Sequence, residues 1–478
     1  MRVLLLALIS IQLLAFSYAR GQFNFQRTYG LSDINEAKVV RPAVDGGFVI
    51  AGTTSINNTD VYILKINDDG TLNWQNTLGS LGIDHANAMT KSYDSCYVLA
   101  GYSNSFNGLG DYNIYVVKVD KNGQLLWHKE IGGLDWDFGY CIQPTQDSGY
   151  IIVGNSYSGS SGSSDGIFLK IDSLGNLQWE RIFNTPGNDY LFGVTILPDG
   201  SYIANGTMIN GNGGSKDIII EKVNMAGDSI WFKEYGSNDD EESNTIYSKN
   251  GVCIIAGSNK DSSGLNNLTF RINDNGDSLS TTLLSHPNDE ITTAIDTSNS
   301  NYIITGYTSS FGGGKKDLFI SRIDSLGNDI QGKTYGGSED EIGYSIIGTP
   351  DGGAIAVGSS TTYTPGSQSV YIVKADSNLI ANTNVVIGLS EVDNKLKVFT
   401  AFSDPISHIL TISCDPLYKN IDKLNLVIFD QNGKIVFYKN SLSNYKIPFN
   451  MENYLPGIYL IKITDNEGLS VMIKFLLL

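Results

Sequence analysis

Between Phe23 and Thr383 short apolar runs alternate with polar turns, and the alternation returns with a period near 52 residues. In each period one run ends in glycine: Phe48 to Gly52, Tyr97 to Gly101, Tyr150 to Gly154, Tyr202 to Gly206, Val252 to Gly257, Tyr302 to Gly306 and Ala354 to Gly358. A loose polar loop follows, then a second run with a fixed basic residue: Lys65, Lys118, Lys170, Lys222, Arg271, Arg322 and Lys374. Next come an Asp/Asn-x-x-Gly turn and a further run that often carries tryptophan, at Trp74, Trp127, Trp179 and Trp231. Runs of about four to eight residues bounded by Gly, Asn and Asp are strands joined by turns.

A repeat of this kind cannot bury both faces of its own sheet, so neighbouring repeats must stack. Four strands per repeat and seven repeats predict an all-β, seven-bladed propeller over residues 20–383, whose closure removes the exposed ends of the array. A solenoid would call for distinct polar caps. Tight turns at Asp45-Gly46-Gly47 and at Asp172-Ser173-Leu174-Gly175 make hairpins, so the crossing to the next blade follows the Trp strand, as at Gly132 to Asp137. The strands are therefore a, before the Asp-Gly-Gly turn and innermost; b, ending in the repeated Gly; c, with the basic residue; and d, with the Trp. Phe25 to Gly30 aligns with Trp231 to Gly236, while the seventh repeat lacks a strand d of its own. That register predicts that residues 23–29 complete the seventh blade.

The two ends differ from the repeats. Met1-Arg2, an apolar run from Val3 to Phe16 and the small residues of Ser17-Tyr18-Ala19 predict a secretory signal peptide over residues 1–19. No other stretch approaches 18 apolar residues, so the mature chain is expected to lack a transmembrane segment. After a polar linker (384–396), residues 397–478 read as alternating strands and turns, the pattern of a small Ig-like β-sandwich. This block carries Phe402-Ser403-Asp404-Pro405, Asp430-Gln431-Asn432-Gly433-Lys434, Leu455-Pro456-Gly457-Ile458-Tyr459-Leu460 and Lys474-Phe475. In that order it resembles the C-terminal sorting domain of the type IX secretion system of Bacteroidetes, although Phe-Ser-Asp-Pro departs from the usual Tyr-Pro-Asn-Pro opening. With Sec export expected from the signal peptide, the resemblance implies passage across the outer membrane by the type IX machinery and a secreted or cell-surface location.

Composition narrows the function. The formal net charge is −18, and the nine Lys and nine Asp/Glu of the tail cancel, so the acidity belongs to the repeats. Nucleic acid is excluded as a partner, because phosphate binding needs clustered Lys/Arg. Four cysteines in 478 residues form neither a disulfide scaffold nor a CxxC pair, and the four histidines show no metal-ligand spacing. No phosphate loop or GxSxG is present.

Alternating strand directions put the d–a crossings and the long, Gly/Ser/Asn-rich b–c loops on one face, the expected working face. The crossings carry a recurrent acid before strand a: Asp84, Asp137, Asp189, Glu241, Glu290 and Glu341, with Asn35 in the first repeat. Circling the channel mouth, these would suit Ca²⁺; the plainer reading is that each caps its strand or pairs with the strand c cation. Trp136, flanked by Asp135 and Asp137, is the one Trp off the strand d column and suits stacking on a sugar ring. His85, Asp84, Asp189 and Tyr190 complete the candidate ligand set. The expectation is a monomeric, non-enzymatic exported propeller that binds extracellular glycan or protein, for adhesion or polymer capture. The competing class is a polysaccharide-degrading enzyme, hydrolase or lyase, using carboxylates at the mouth.

Overall fold

A computed structural model describes residues 23–30, 33–55, 58–106, 110–158, 164–183, 185, 187–209, 216–262, 264–364, 366–382, 385–387, 399–404, 409–414, 425–430, 434–440, 446–450, 454, 457–464 and 470–477. The signal peptide, most of the linker, the 431–433 turn and the Gly/Ser-rich tips at 159–163 and 210–215 lie outside these residues. The chain divides into two compact units, the repeats and the C-terminal block.

The repeats form seven antiparallel sheets, a seven-bladed β-propeller. The second blade is typical: strands a (Asp84–Lys91), b (Tyr97–Ser103), c (Asn113–Val119) and d (Leu125–Ile131) pair in that order. Strands b and c are buried along almost their whole length, as in Tyr150–Ser156 and Asp165–Ile171 of the third blade. Both faces of each sheet are covered by neighbouring blades, which is why these runs are continuously apolar rather than alternating.

Strand a lines the centre. The a strands of neighbouring blades touch all the way round: Asn87 Nδ2 donates to Gly139 O (2.9 Å), Thr293 Oγ1 to Gly343 O (2.7 Å), and Val40 N to Ser345 Oγ (3.3 Å), joining blade one to blade seven. Every strand a also carries one bulge, skipping Lys38, Asn87, Tyr140, Phe192, Asn244, Thr293 and Tyr344 in turn. A bulge bends the strand and re-aims the extra side chain. Here it gives each blade a second central position.

Phe25–Tyr29 is the fourth strand of the seventh sheet, beside Ser369–Ala375. A fifth strand, Val385–Ile387, pairs parallel to it with Gln26 opposite Val385, so part of the segment read as linker belongs to the ring's last sheet. Gln26 is fixed on both sides, by the hydroxyl of Tyr371 and through its own Nε2 donating to Asn382 O (2.7 Å).

The strand d tryptophans staple blade to blade. Each lies over the glycine of the next blade's c–d turn: Trp74 on Gly123, Trp127 on Gly175, Trp179 on Gly227 and Trp231 on Gly276. These glycines have positive φ, so the turn requires them twice, for backbone and for space.

The basic residue of strand c does not meet the acid before strand a. It pairs instead with the a–b turn aspartate on the opposite face: Lys65 with Asp45, Lys118 with Asp94 (2.7 Å) and Lys170 with Asp147 (2.8 Å). Two tight turns meet there, and a long cation anchored in strand c reaches across them.

The C-terminal unit is two sheets, one of Phe399–Asp404, Ile409–Cys414 and Lys446–Asn450, the other of Ile435–Asn440, Asn425–Phe429, Gly457–Thr464 and Ser470–Leu477. Leu426, Ile428, Tyr459, Ile461 and Ile463 are buried in it. Among the described residues no helix is long and apolar enough to cross a membrane.

Candidate ligand-binding mouth of the propeller

The crossings and the b–c loops are bonded to each other, as by Tyr157 N donating to Trp136 O (2.8 Å) and Asn104 N to Ile83 O (3.1 Å). They share one face. The recurrent acids begin strand a there, but their side chains are buried: Asp84, Asp189 and Glu341 are fully enclosed and Asp137 nearly so. Five of the six carboxylates accept the backbone N–H of the residue four positions earlier, and the sixth, Glu290, is met by the His286 side chain from that position. Ser80 N donates to Asp84 (2.9 Å), Gly133 N to Asp137 (2.8 Å), Thr185 N to Asp189 (3.2 Å), Ser237 N to Glu241 (3.2 Å) and Gly337 N to Glu341 (2.6 Å). A b–c hydroxyl adds a second bond, from Ser105 to Asp84 (2.6 Å), Ser158 to Asp137 (2.9 Å) and Ser360 to Glu341 (2.6 Å).

The acids are therefore latches that tie crossing to loop in blades two to seven, while in blade one Asn35 takes their place and accepts from Thr54. Expected to share a cation, they are kept apart by the ring, and among the described residues no group of three or more His, Cys, Asp or Glu is placed to hold a metal. The crossing glycine five positions earlier makes the latch possible. A Cβ at Gly79 would lie 2.3 Å from Asp60 and 2.6 Å from Asp84, and one at Gly132 would meet Asn113 and Asp137 as closely. Burial pushes Asp137 above the usual carboxylate range. Asp189 is pushed up to about 6 by burial, against the bonds from Thr185 and with repulsion from Asp165 and Glu234; its Oδ1 is buried without a hydrogen-bond partner.

Trp136, Tyr190 and His85 fall in one feature. His85 stacks on Tyr102 (ring centroids 4.6 Å apart), and Tyr102 meets Phe138 (4.9 Å) and Tyr112 (5.3 Å) edge-on. Trp136 stands edge-on to Tyr112 (5.8 Å), Phe138 (6.4 Å) and Tyr157 (6.3 Å). Tyr140 approaches Phe192 (5.4 Å), which is stacked parallel to Tyr190 (6.1 Å). The hydroxyls of Tyr157 and Tyr190 are hydrogen-bonded, and Tyr190 is pushed up to about 12 by burial and by that contact. An arc of half-exposed rings thus runs over blades two to four, with Trp136 the most open at 46%. Its backbone is clamped, its N–H donating to Asp135 Oδ1 (2.9 Å) and its carbonyl accepting from Tyr157. Asp135 is exposed beside it, whereas Asp84, Asp137 and Asp189 are beneath the surface.

Across the mouth the lining is charged. Lys38 pairs with Glu36 (3.1 Å) and sits 3.7 Å above the Tyr344 ring; Lys216 pairs with Glu242, and Lys316 lies 4.4 Å above Tyr307. Sequence reasoning missed Tyr102, Tyr112, Phe138, Tyr140, Tyr157 and Phe192. A signal was present: the positions one and three after the acid read Phe-x-Tyr in blade three and Tyr-x-Phe in blade four, against Glu-x-Lys in blade one.

Residues 400–477 match the secretion system C-terminal sorting domain family. The chain thus carries a type IX sorting domain and is a secreted, cell-surface protein. No curated protein matches the sequence. Among solved structures, it is similar to the extracellular domain of what is described as a one component system, BT4673, from B. thetaiotaomicron (11% identity, TM-score 0.42). That match covers 96% of this chain, which spans only 58% of that domain. Phage phi92 endosialidase matches at 11% identity over 94% of this chain and 87% of that one, TM-score 0.44. The β-propeller domain of the Trilobed protease from Pyrococcus furiosus matches at 11% over 73% and 95%, TM-score 0.41.

Proposed function

We propose that this surface-exported propeller binds extracellular glycan on the aromatic arc of its loop face, as an adhesin or polymer-capture protein. The observation that carries the reading is the arc itself. Eight aromatic rings and His85 crowd one side of the mouth, whereas across it the rings of Tyr344 and Tyr307 are covered by Lys38 and Lys316. Half-exposed rings with hydroxyls at their edges offer flat apolar faces to sugar C–H groups and hydrogen bonds to sugar oxygens. Binding is favoured over hydrolysis because the acids that begin strand a are occupied by their own loops, and Glu36 and Glu242 are paired with Lys38 and Lys216. A hydrolase needs two carboxyls facing one bond, and Asp84, Asp137 and Asp189 face their crossings.

The test is a glycan panel against the purified full chain, with reducing-sugar release measured in parallel. Trp136→Ala is expected to weaken the best ligand about tenfold or more, as loss of an aromatic anchor does, with folding intact. Retained affinity in Trp136→Ala and in Tyr112→Ala would overturn the reading. So would turnover that is lost in Asp135→Asn.

A further inference from the structure

A cavity of about 420 Å³ opens between the fifth and sixth blades, away from the aromatic arc. Its origin is visible when the sixth blade is compared with the second. In blade two, Phe106 of the b–c loop packs on Tyr115 (5.5 Å) and His128 (4.6 Å), which fill the space beneath it. In blade six, Phe311 holds the loop position and Phe319 the position of Tyr115. Opposite them, however, Gly332 faces Ser321 where His128 faces Val117. No other blade has glycine in that column: it reads Gln75, His128, Glu180, Phe232, Thr281 and, in the closing strand, Gln26. A Cβ at Gly332 would touch only Ser321, at 3.5 Å, so the space is open rather than filled from elsewhere.

A second departure from the repeat falls at the same place. Where the other latches use a backbone N–H, Glu290 is bonded by an imidazole, His286 Nδ1 at 3.1 Å, and by Thr308 Oγ1 at 3.0 Å. The His286 ring stands edge-on to Phe311 (4.8 Å), which is 51% exposed over the opening. Two breaks in sevenfold equivalence therefore meet in one cavity. A scaffold part recurs in every blade; a binding site need occur only once.

We propose that this cavity is a binding site for a single uncharged pyranose ring, separate from the mouth. The apolar side, formed by Phe311, Phe319, Ile304 and Leu284, matches the C–H face of a sugar. The other walls bring hydroxyl, amide, imidazole and carboxylate groups, from Ser321, Asn267, His286 and Asp329 among others, suited to a ring edge of hydroxyls. Two carboxylates, Glu290 and Asp329, outnumber the one ammonium of the lining, Lys333, and Glu290 is already bonded to His286 and Thr308, so the walls favour a neutral ring over an anionic one such as a uronic acid. The volume is at the small end for ligand sites, room for one ring and not for a chain.

The repeat supplies its own blocking variants. Gly332→His copies blade two and Gly332→Gln copies blade one, each filling the cavity with a residue the fold already accommodates. Methyl glycosides of glucose, galactose, mannose and N-acetylglucosamine, with glucuronate, galacturonate, benzylamine and benzoate as contrasts, are titrated by calorimetry or ligand-observed NMR into the full chain. At least one neutral glycoside is expected to bind wild type and Trp136→Ala equally, and to lose tenfold or more in Gly332→His, Gly332→Gln and Phe311→Ala. The proposal is overturned if no neutral glycoside binds at tens of millimolar. It fails equally if binding survives both Gly332 variants, or if a uronate, amine or benzoate binds better. Because Trp136→Ala reports on the mouth alone, the two readings fail separately.

Discussion

Gly336→Ala is the sharpest probe of how the crossings are built. Gly336 precedes the Glu341 latch, and a Cβ there would lie 1.9 Å from Asp317 Oδ1 and 2.7 Å from Glu341 Oε2. Neither neighbour is free to leave. Asp317 accepts from Gly314 N (3.1 Å), Glu341 accepts from Gly337 N and Ser360, and the Gly336 carbonyl is itself held by Tyr363 Oη (2.7 Å). Overpacking by one methyl in a rigid setting costs about 1–3 kcal/mol, and loosening one hydrogen bond to a carboxylate adds about 1.5–3 kcal/mol. The substitution should therefore lose about 3 kcal/mol in urea unfolding of the full chain, with an unchanged slope. Gly332→Ala is the control: its Cβ meets nothing closer than 3.5 Å, and its stability should stay within about 0.5 kcal/mol of wild type. Asp317→Ala in the Gly336→Ala background removes the clashing oxygen, so the pair should be less destabilised than the sum of the singles. If Gly336→Ala unfolds at the wild-type midpoint, the close carboxylate pair is not the reason for glycine at this column.

Other expectations follow from the same geometry. Asp189, held near 6 by burial, stabilises the fold when protonated; that contribution is complete below about pH 4 and disappears as pH rises through 6. For Asp147, burial opposes ionisation but the Lys170 ammonium and Thr145 hydroxyl prevail, holding it at about 2. Its contribution is present above about pH 4 and is lost as pH falls through 2, so Asp147→Asn should flatten the loss of melting temperature on the acid side, and Asp189→Asn should flatten the decline towards neutral pH. Arg181 covers the buried Glu221 with bonds of 2.8 and 3.1 Å; Arg181→Ala should cost about 3 kcal/mol at pH 7, and less as pH falls, because burial raises the Glu221 carboxyl above its ordinary range. The double change to leucine at both sites should restore stability, since the Glu221 column holds Leu64, Val117 and Leu169 elsewhere. Millimolar Ca²⁺ should leave the melting temperature unchanged, because the latch carboxylates already accept hydrogen bonds; a rise of several degrees would refute that assignment.

The fold was largely legible because strands and turns announce themselves locally. Seven runs ending in glycine and seven basic residues, each five positions before Gly70, Gly123, Gly175, Gly227, Gly276, Gly327 or Leu379 of the next turn, mark blades without any knowledge of contacts, and the missing last strand d points to Phe25–Tyr29. What the acids do was not legible. Asp84 and its equivalents recur at the right place for a ring of ligands, and only the backbone path shows that the donor is an N–H four residues earlier. The strand c lysine was likewise assigned a partner by shared period, but period gives no sign of which end of the strand a long side chain reaches. The aromatic arc was half legible. Trp136 stood out against the column of strand d tryptophans, whereas Phe138 and Tyr140 read as strand residues until the bulge placed both towards the centre. The blade-six cavity is a matter of what Gly332 lacks, and an absence is seen only against its aligned neighbours.

The closing strand has a consequence for how the molecule comes into being. Gln26 bonds to Asn382 across 356 residues of chain, so the segment synthesised first in the ring is the last to find its place. Joining ends that far apart costs about 5 kcal/mol of chain entropy by the logarithmic loop relation, a cost that six formed blades reduce by holding the ends near each other. Until Ser369–Ala375 have emerged, Phe25–Tyr29 has no sheet to join, and the fifth strand, Val385–Ile387, follows later still. The nascent repeats are therefore an open array, with bare edges at both ends, until the seventh blade has been made. The sealed ring is a property of the completed repeats alone.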